Sequence, residues 1–177
     1  MTIDELCLEI AKRLNDDYQI KYSTPFVKAT LLKSMDVVLS MGKMNRNDYS
    51  GLERKVSFPG ASFDFTKPIR QIKTVIGDDY KNTYYPKTIE EVANIRQELH
   101  LLPKNTEAFF YLAVNTLNLI PPLGDTNNLD ASVTVWFVEN PSDTGTTDIK
   151  TIYSDYFLEV SVQETIKRIM VESDIRE

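Results

Sequence analysis

The chain has 177 residues, of which 42% are hydrophobic and 26% charged, as is typical of a soluble globular domain. It contains one cysteine, Cys7, and one histidine, His100, so an intrachain disulfide and a zinc site built from several such ligands are excluded. The net charge of −6 opposes general binding to nucleic acid or anionic membranes, and no run approaches the roughly 18 apolar residues of a membrane span.

Two helices are predicted at the start of the chain. Thr2 and Glu5 have the spacing of a capping box, and apolar residues follow at four-residue steps, which predicts a helix over residues 3–15. A Ser-Thr-Pro sequence places a hydroxyl cap before a first-turn proline, which predicts a second helix over residues 24–42. We assign residues 1–46 to a helical part of the fold.

The pattern then changes to short strands. Alternating apolar residues between Pro-Gly and Lys-Pro turns predict strands within residues 51–75. A second capping box, formed by Thr88 and Glu91, predicts a short helix over residues 88–99.

The clearest strand pattern lies in residues 108–122, where apolar residues alternate on both sides of a short turn predicted at Asn115-Thr116. Residues 131–138 alternate in the same way and predict another strand. A polar loop follows, and Ser154 or Asp155 then caps a closing helix.

These elements predict an α+β fold in a single domain over residues 1–177. The helical parts, residues 1–46 and 154–177, are expected to form a bundle from the N-terminal helix pair and the C-terminal helix. The β-rich insert, residues 51–150, is expected to be a central antiparallel β portion that includes the short helix.

Residues with potential chemistry each have a simple structural interpretation. Cys7 lies on an apolar helix stripe and is expected to be a buried thiol, while His100 lies among leucines at a helix end. Asp78 and Asp79 are adjacent carboxylates, which serve acid and base chemistry when burial separates their pKa values, but they also form turns. We assign no catalytic, cofactor-binding or metal-binding residue.

An oxygen-rich loop contains Asp125, Asn127, Asn128 and Asp130, which are side chains of the type that calcium prefers. Their spacing does not match the helix-loop-helix calcium signature. We therefore interpret the loop as a β-turn tip.

The charges are distributed unevenly. Residues 1–87 hold fourteen basic and eleven acidic side chains, whereas residues 88–177 hold six and fifteen. Residues 105–149 contain no Lys or Arg and six acids, which predicts a negative surface on that segment. The six acids are Glu107, Asp125, Asp130, Glu139, Asp143 and Asp148.

One stretch of the chain resembles a known family. Residues 109–122 read Phe-Phe-Tyr-Leu-Ala-Val-Asn-Thr-Leu-Asn-Leu-Ile-Pro-Pro, and the strand Val-Thr-Val-Trp-Phe at 133–137 and Asn140-Pro141 follow. This order is similar to the β core of the head-to-tail adaptor proteins of tailed bacteriophages. The leading helices with Ser-Thr-Pro and the closing helix from Tyr153 occupy the places of the adaptor helices, so the resemblance covers most of the chain.

The resemblance implies a structural virion protein and no enzyme. Adaptors form a ring, usually dodecameric, that docks on the portal protein, contacts tail or neck proteins and continues the DNA channel to the tail. Double-stranded DNA passes through such a ring without sequence recognition. We therefore expect a homo-oligomer in the neck of the virion, assembled in the cytoplasm of a bacterial host, without cofactors and without membrane contact.

The charge distribution suits this expectation in two ways. Oppositely charged halves can encode a head-to-tail contact between subunits, and we expect such an assembly to weaken as salt rises past roughly 0.15 M. A wall without Lys or Arg cannot neutralise phosphates, so residues 105–149 and their six acids are candidates for the channel lumen, its rim or a subunit interface. A chance cluster on an outer loop remains an equal alternative.

Three other functions stay open. The first is another neck ring, such as a tail terminator. The second is a small hydrolase that uses Asp78 and Asp79. The third is a carbohydrate-binding β module that uses the rings of Trp136 and Tyr111.

Overall fold

The computed structural model describes residues 1–16, 21–42, 44–79, 82–97, 108–125 and 128–174, and the contacts within the chain divide it into two compact units. The helical unit comprises Met1–Leu52 and Pro141–Glu177, and the β unit comprises Glu53–Asn140. The predicted α+β class is confirmed. The single-domain assignment stays a prediction.

The described residues form four α-helices and seven strands, together with short 3-10 turns. The helices are α1 (Ile3–Arg13), α2 (Thr24–Ser40), α3 (Ile89–Gln97) and α4 (Asp155–Asp174). The strands are β1 (Glu53–Phe58), β2 (Ser62–Asp64), β3 (Ile69–Gly77), β4 (Tyr84–Pro86), β5 (Ala108–Ala113), β6 (Thr116–Ile120) and β7 (Val133–Glu139). None of the helices in the described ranges has the length and apolar character needed to cross a membrane.

Helix α1 begins at the predicted capping box. The Thr2 hydroxyl accepts a hydrogen bond from the Glu5 amide at 3.2 Å, and the Glu5 carboxylate accepts one from the Thr2 amide at 2.8 Å. The apolar stripe of the helix is buried at Leu6, Cys7 and Ile10. The helix ends at Arg13, two residues before the predicted end.

Helix α2 packs against both α1 and α4 within the helical unit. The buried residues of α2 and α4 are mostly apolar, with two hydroxyl side chains on each helix. They are Val27, Thr30, Leu31, Ser34, Met35 and Val38 on α2, and Phe157, Leu158, Ser161, Val162, Thr165 and Ile169 on α4. These contacts join the N-terminal helix pair to the C-terminal helix, while the predicted bundle arrangement stays a prediction.

Helix α3 lies in the β unit and also begins at its predicted capping box. The Thr88 hydroxyl accepts a hydrogen bond from the Glu91 amide at 3.2 Å, and the Glu91 carboxylate accepts one from the Thr88 amide at 2.8 Å. The predicted helix is confirmed as far as Gln97. Its last two predicted positions, 98 and 99, lie outside the described residues.

The β unit contains two sheets. One has the strand order β1-β7-β3 and is antiparallel throughout. The other has the order β2-β6-β5-β4, in which β2-β6 and β6-β5 are antiparallel and β4 runs parallel to β5, so the predicted antiparallel β portion contains one parallel pair. Strand β4 was also not predicted, because Tyr-Tyr-Pro is too short to show alternation and proline is depleted in strands.

The inward side chains of both sheets form one core cluster, which is rich in aromatic residues. Phe65 contacts two other rings in edge-to-face geometry. Its ring centroid lies 4.7 Å from that of Phe137 and 5.1 Å from that of Phe63. Edge-to-face aromatic pairs contribute about 0.5–1.5 kcal/mol beyond the burial of their area. The cluster consists of Phe58, Phe65, Val75, Tyr84, Ala108, Phe110, Leu117, Leu119, Val133, Val135 and Phe137.

Strands β5 and β6 form the predicted hairpin, but the turn lies one residue earlier than predicted. Ala113 pairs with Thr116, so the turn residues are Val114 and Asn115. Val114 adopts φ 57°, in the left-handed region that β-branched residues rarely occupy. The prediction failed because asparagine was taken as the first turn residue, whereas it is the second.

Candidate interaction surfaces

The structure divides the six acids of the segment without Lys or Arg between the two units. Asp125, Asp130 and Glu139 belong to the β unit, Asp143 and Asp148 belong to the helical unit, and Glu107 lies outside the described residues.

In the helical unit, both acids are ion-paired with groups from the start of the chain. Lys28 Nζ lies 2.8 Å from an Asp143 carboxylate oxygen and 2.6 Å from one of Asp4. This contact with Lys28 lowers the pKa of Asp143. The N-terminal amine of Met1 lies 3.1 Å from a carboxylate oxygen of Asp148.

In the β unit, Glu139 pairs with Arg54, whose guanidinium lies 3.3 Å from a carboxylate oxygen. Strands β1 and β7 are adjacent and antiparallel, which brings these two residues to the same end of the sheet. Together with the two pairs of the helical unit, this contact shows that cations from the first half of the chain meet acids from the second half inside one subunit. These three acids therefore have their cationic partners within one chain and do not need a second chain to supply them.

Asp130 is part of a polar cluster inside the β unit and is 2% exposed. Its carboxylate accepts hydrogen bonds from the Asn82 amide at 3.1 Å and from the Tyr84 hydroxyl at 3.4 Å. The Asn128 amide donates to the Tyr84 hydroxyl at 2.9 Å and to the Pro121 carbonyl at 2.8 Å. Burial raises the pKa of Tyr84 to about 12.

The loop contains turns, in which the Asp125 amide donates to the Pro122 carbonyl and the Asn128 amide to the Asp125 carbonyl, but two of its polar side chains are buried. Asn128 and Asp130 face the interior of the β unit, although Leu129 between them is 52% exposed. Within the described ranges, no group of three or more His, Cys, Asp and Glu residues could hold a metal ion. The described polar residues of the loop therefore act on the fold through hydrogen bonds.

Asp78 and Asp79 directly follow β3, and their carboxylates accept hydrogen bonds from residues at the start of β7 and just before it. The Asp78 carboxylate accepts hydrogen bonds from the hydroxyls of Ser57, Ser132 and Thr134, each at 2.6 Å. The Asp79 carboxylate accepts one from the Ala131 amide at 2.8 Å.

The hydroxyl contacts of Asp78, chiefly the one from Ser132, lower its pKa. A general acid at neutral pH needs the opposite shift. The geometry of this pair thus suits a structural tie between strands better than the hydrolase chemistry considered above.

The aromatic side chains considered for sugar binding have other contacts. Lys55 Nζ lies 5.0 Å from the ring centroid of Trp136, so a cation covers one face of the indole ring. Trp136 and Tyr111 are both half-buried. On the side of Lys55, the indole ring of Trp136 is therefore covered and is not open for stacking on a sugar.

Cys7 is buried, as predicted, and burial raises its pKa to about 11. Its thiol is therefore protonated at neutral pH and is not a nucleophile there. His100 lies outside the described residues.

The sequence analysis did not find an open groove in the β unit. The groove has a volume of about 430 Å³ and lies between the edge strands of the two sheets. Its lining consists of residues 69–75 along β3, residues 83–86 at β4, and Phe110 and Leu112 of β5. No sequence pattern signals it, because it arises where β3 and β4 diverge beyond the bridge between Ile76 and Thr83.

The two basic side chains of this groove come from irregularities in β3. Relative to β7, the register of β3 shifts between Ile69 and Gln71 and again between Ile72 and Thr74. The extra residues at these bulges are Arg70 and Lys73, and both line the groove. Bulges change the direction of side chains and commonly occur beside functional sites.

Exposed apolar side chains form the second kind of surface that the sequence analysis missed. Val114, at the tip of the β5–β6 hairpin, is 93% exposed. On α4 of the helical unit, Tyr156, Met170 and Val171 are each more than half exposed. Such side chains mark interaction sites when they are grouped or held on a projecting element.

A scan against protein-family models finds no family that matches this chain, and a search of curated proteins finds no match either.

Proposed function

We propose that this chain is a structural subunit of the head-to-tail connector ring of a tailed bacteriophage, which docks on the portal and continues the DNA channel. The observation that carries the proposal is the order of the two units along the chain. The β unit, Glu53–Asn140, interrupts the helical unit between α2 and α4. This is the order of helices and β core that the adaptor resemblance implies.

The surfaces support an assembling protein. Both units carry large apolar side chains in exposed positions, including Val114 in the β unit and Tyr156 in the helical unit. A ring is built from heterologous contacts, in which one surface of a subunit meets a different surface of the next. A subunit with separate exposed apolar surfaces suits that requirement.

The ion pairs support a role beside DNA that passes without being held. Residues 105–149 contain no cation, and Lys28 and Arg54 are in ion pairs with acids of that segment. Phosphate binding requires Lys or Arg side chains that can release counterions from the duplex. A channel wall built from this segment would offer little resistance to sliding DNA.

The decisive experiment locates the chain in the virion. Antibodies raised against the purified chain and coupled to gold should label the neck of the phage in electron micrographs. The purified chain, mixed with portal rings, should add a second ring at the end that faces the tail. Absence of the chain from mature particles, or label confined to capsid or tail tip, would overturn the proposal.

A tail terminator or another neck ring belongs to the same class of function. Its position relative to the portal separates it from an adaptor, because an adaptor binds portal rings in the absence of tail proteins. A ring that binds purified tails and not portals would assign the chain to the terminator.

A further inference from the structure

We propose that Val114 of one copy inserts into the groove between β3 and β4 of a second copy. The inference rests on the proposed function, since it names the subunit contact of the ring. It assigns a role to two features of the β unit that the fold itself does not require, the exposed hairpin tip and the open groove.

The groove is suited to an apolar side chain. Ile69, Ile72, Phe110 and Leu112 are only partly or barely exposed, and each lines the groove. Burial of a valine side chain against such a surface contributes about 1.5–3 kcal/mol. The volume of about 430 Å³ leaves room for the tip residue and for parts of its neighbours.

The bulges make a side chain a better occupant than an added strand. An edge strand can pair with a further strand, but bulges disrupt the regular spacing of its free amides and carbonyls. Strand β3 has two bulges within the stretch that lines the groove. A projecting turn avoids this obstacle because it needs no continuous ladder.

The hairpin tip has the matching properties. Val114 is 93% exposed and adopts φ 57°, which costs a β-branched residue of this kind conformational energy that an ordinary turn residue would avoid. The Asn115 carbonyl accepts a hydrogen bond from the Phe65 amide at 2.9 Å, which fixes the turn to the segment that follows β2 in the same chain. A strained, exposed and anchored apolar residue is typical of a binding site.

Charge also agrees with this pairing. Beside the tip, the exposed carboxylate of Asp64 accepts a hydrogen bond from the Thr116 hydroxyl at 2.6 Å. The charged residues that line the groove are both basic, Arg70 and Lys73, and Lys73 also contacts Glu53. The acid that flanks the tip and the basic side chains that line the groove have opposite charge, which is complementary across two copies.

A second copy is the preferred occupant because one unit carries both complementary surfaces. The tip and the groove consist of different residues, so their pairing either repeats from subunit to subunit as a heterologous contact or is made twice across a two-fold axis, and a ring requires the first arrangement. Such a contact closes into a ring when the rotation between subunits permits it.

The first test is the substitution Val114→Gly, with Leu129→Ala as the control at another exposed apolar residue of the β unit. Glycine tolerates the positive φ, so the melting temperature should stay equal or rise. Sedimentation velocity should show self-association weakened by about tenfold or more in Val114→Gly and unchanged in Leu129→Ala. Unchanged self-association in Val114→Gly would overturn the inference.

The second test detects the contact directly by mixing two variants that each add one cysteine, Val114→Cys and Ile72→Cys. Mild oxidation should give a disulfide-linked dimer containing one copy of each, since the native Cys7 is buried. Leu129→Cys mixed with Ile72→Cys is the control and should stay uncrosslinked. A ring that forms while the Val114–Ile72 crosslink fails would overturn the inference and leave the proposed function intact.

The two proposals fail in different ways. If the crosslink forms but the assembly is a closed dimer absent from the virion neck, the contact stands and the connector function is wrong. If Val114→Gly abolishes binding to portal rings while self-association persists, the tip contacts the portal and the inference about a second copy is wrong.

Discussion

The helices of one unit and the strands of the other begin and end for different reasons. In the helical unit, caps and hydroxyl contacts within each helix join residues three or four positions apart, as in the pair Thr2 and Glu5, and ion pairs such as Lys28 with Asp143 then join distant segments. In the β unit, the polar ties between strands join residues about fifty positions apart, as in Asp78 with Thr134 and Asp130 with Asn82. Local pattern therefore predicts where the helices lie, whereas the contacts between strands depend on partners that no short window contains.

Two glycine positions, one in each unit, provide the largest expected effect. A Cβ at Gly77 in the β unit would overlap the carboxylate of Asp130. A Cβ at Gly51 in the helical unit would overlap the backbone of Ile152, whose carbonyl oxygen would lie at 2.7 Å. A side chain can be removed by mutation, but a backbone cannot.

We therefore predict that Gly77→Ala lowers the free energy of unfolding by about 2–6 kcal/mol, because it overpacks the core and displaces a buried, hydrogen-bonded carboxylate. Urea unfolding, followed by the fluorescence of Trp136, the single tryptophan, reports on the β unit. In the background of Asp130→Ala, the same glycine substitution should cost less, because the overlapping atoms are gone.

Gly51→Ala is the matched case in the helical unit. Truncation of the Ile152 side chain should give no comparable recovery, because the overlapping atoms belong to the backbone. Equal costs of Gly77→Ala with and without Asp130 would show that the predicted overlap is not the cause.

The carboxylates provide the second comparison, through pH. The pKa of Asp78 is lowered by hydroxyl donors, chiefly Ser132, and its ordinary value is 3.8. A carboxylate with a lowered folded pKa stabilises the fold above the unfolded pKa, and this contribution is lost as pH falls through the folded value. Asp78→Asn should thus cost about 1–2 kcal/mol at pH 7, and this cost should shrink below about pH 4.

Asp143 in the helical unit tests whether a cation produces the same pH response. Its pKa is lowered mainly by Lys28 and also by the Gly145 amide. Asp143→Asn should also lose its effect below about pH 4, but salt should reduce its effect at pH 7 more than that of Asp78→Asn, because the main partner of Asp143 is a cation whereas the main partners of Asp78 are neutral hydroxyls. Urea midpoints at two salt concentrations measure this, and equal salt responses would contradict the distinction.

The two capping boxes allow a comparison in which the local chemistry is the same. Thr2→Ala at α1 and Thr88→Ala at α3 each remove a hydroxyl that accepts from a first-turn amide. Each substitution should cost about 1 kcal/mol. Circular dichroism at 222 nm during urea unfolding measures both, with Thr2→Ser and Thr88→Ser as controls that keep the cap. Costs that persist in the serine variants would exclude capping as the reason.

The helices were predictable because the residues that begin a helix lie within a few positions of one another in the sequence. Both capping boxes and the start of α4 appear at the predicted positions. The main strands were predictable for a similar reason, since alternation over five or more residues marked β5, β6 and β7.

The candidate surfaces were not predictable, because they depend on which distant strands meet. The burial of Asp130 follows from the position of Asn82 and Tyr84, more than forty residues earlier in the chain. The groove follows from the divergence of β3 and β4, and β4 itself had no sequence signal. The sequence itself shows a segment without Lys or Arg, but the ion-pair partners of its acids are visible only in the structure.

The smallest expected effect lies in the hydroxyls between α2 and α4. The Thr165 hydroxyl donates to the Ser161 carbonyl at 2.7 Å, whereas the buried Ser161 hydroxyl has no hydrogen-bond partner among the described residues. Removing an unsatisfied buried hydroxyl is neutral or favourable, so Ser161→Ala should change the free energy of unfolding by about 0 to +1 kcal/mol. Thr165→Ala, which removes a satisfied hydroxyl and a methyl group, should destabilise by about 1 kcal/mol or more under the same urea conditions. A loss in Ser161→Ala as large as that in Thr165→Ala would mean that the Ser161 hydroxyl is satisfied by a hydrogen bond and contributes to the packing of α2 against α4.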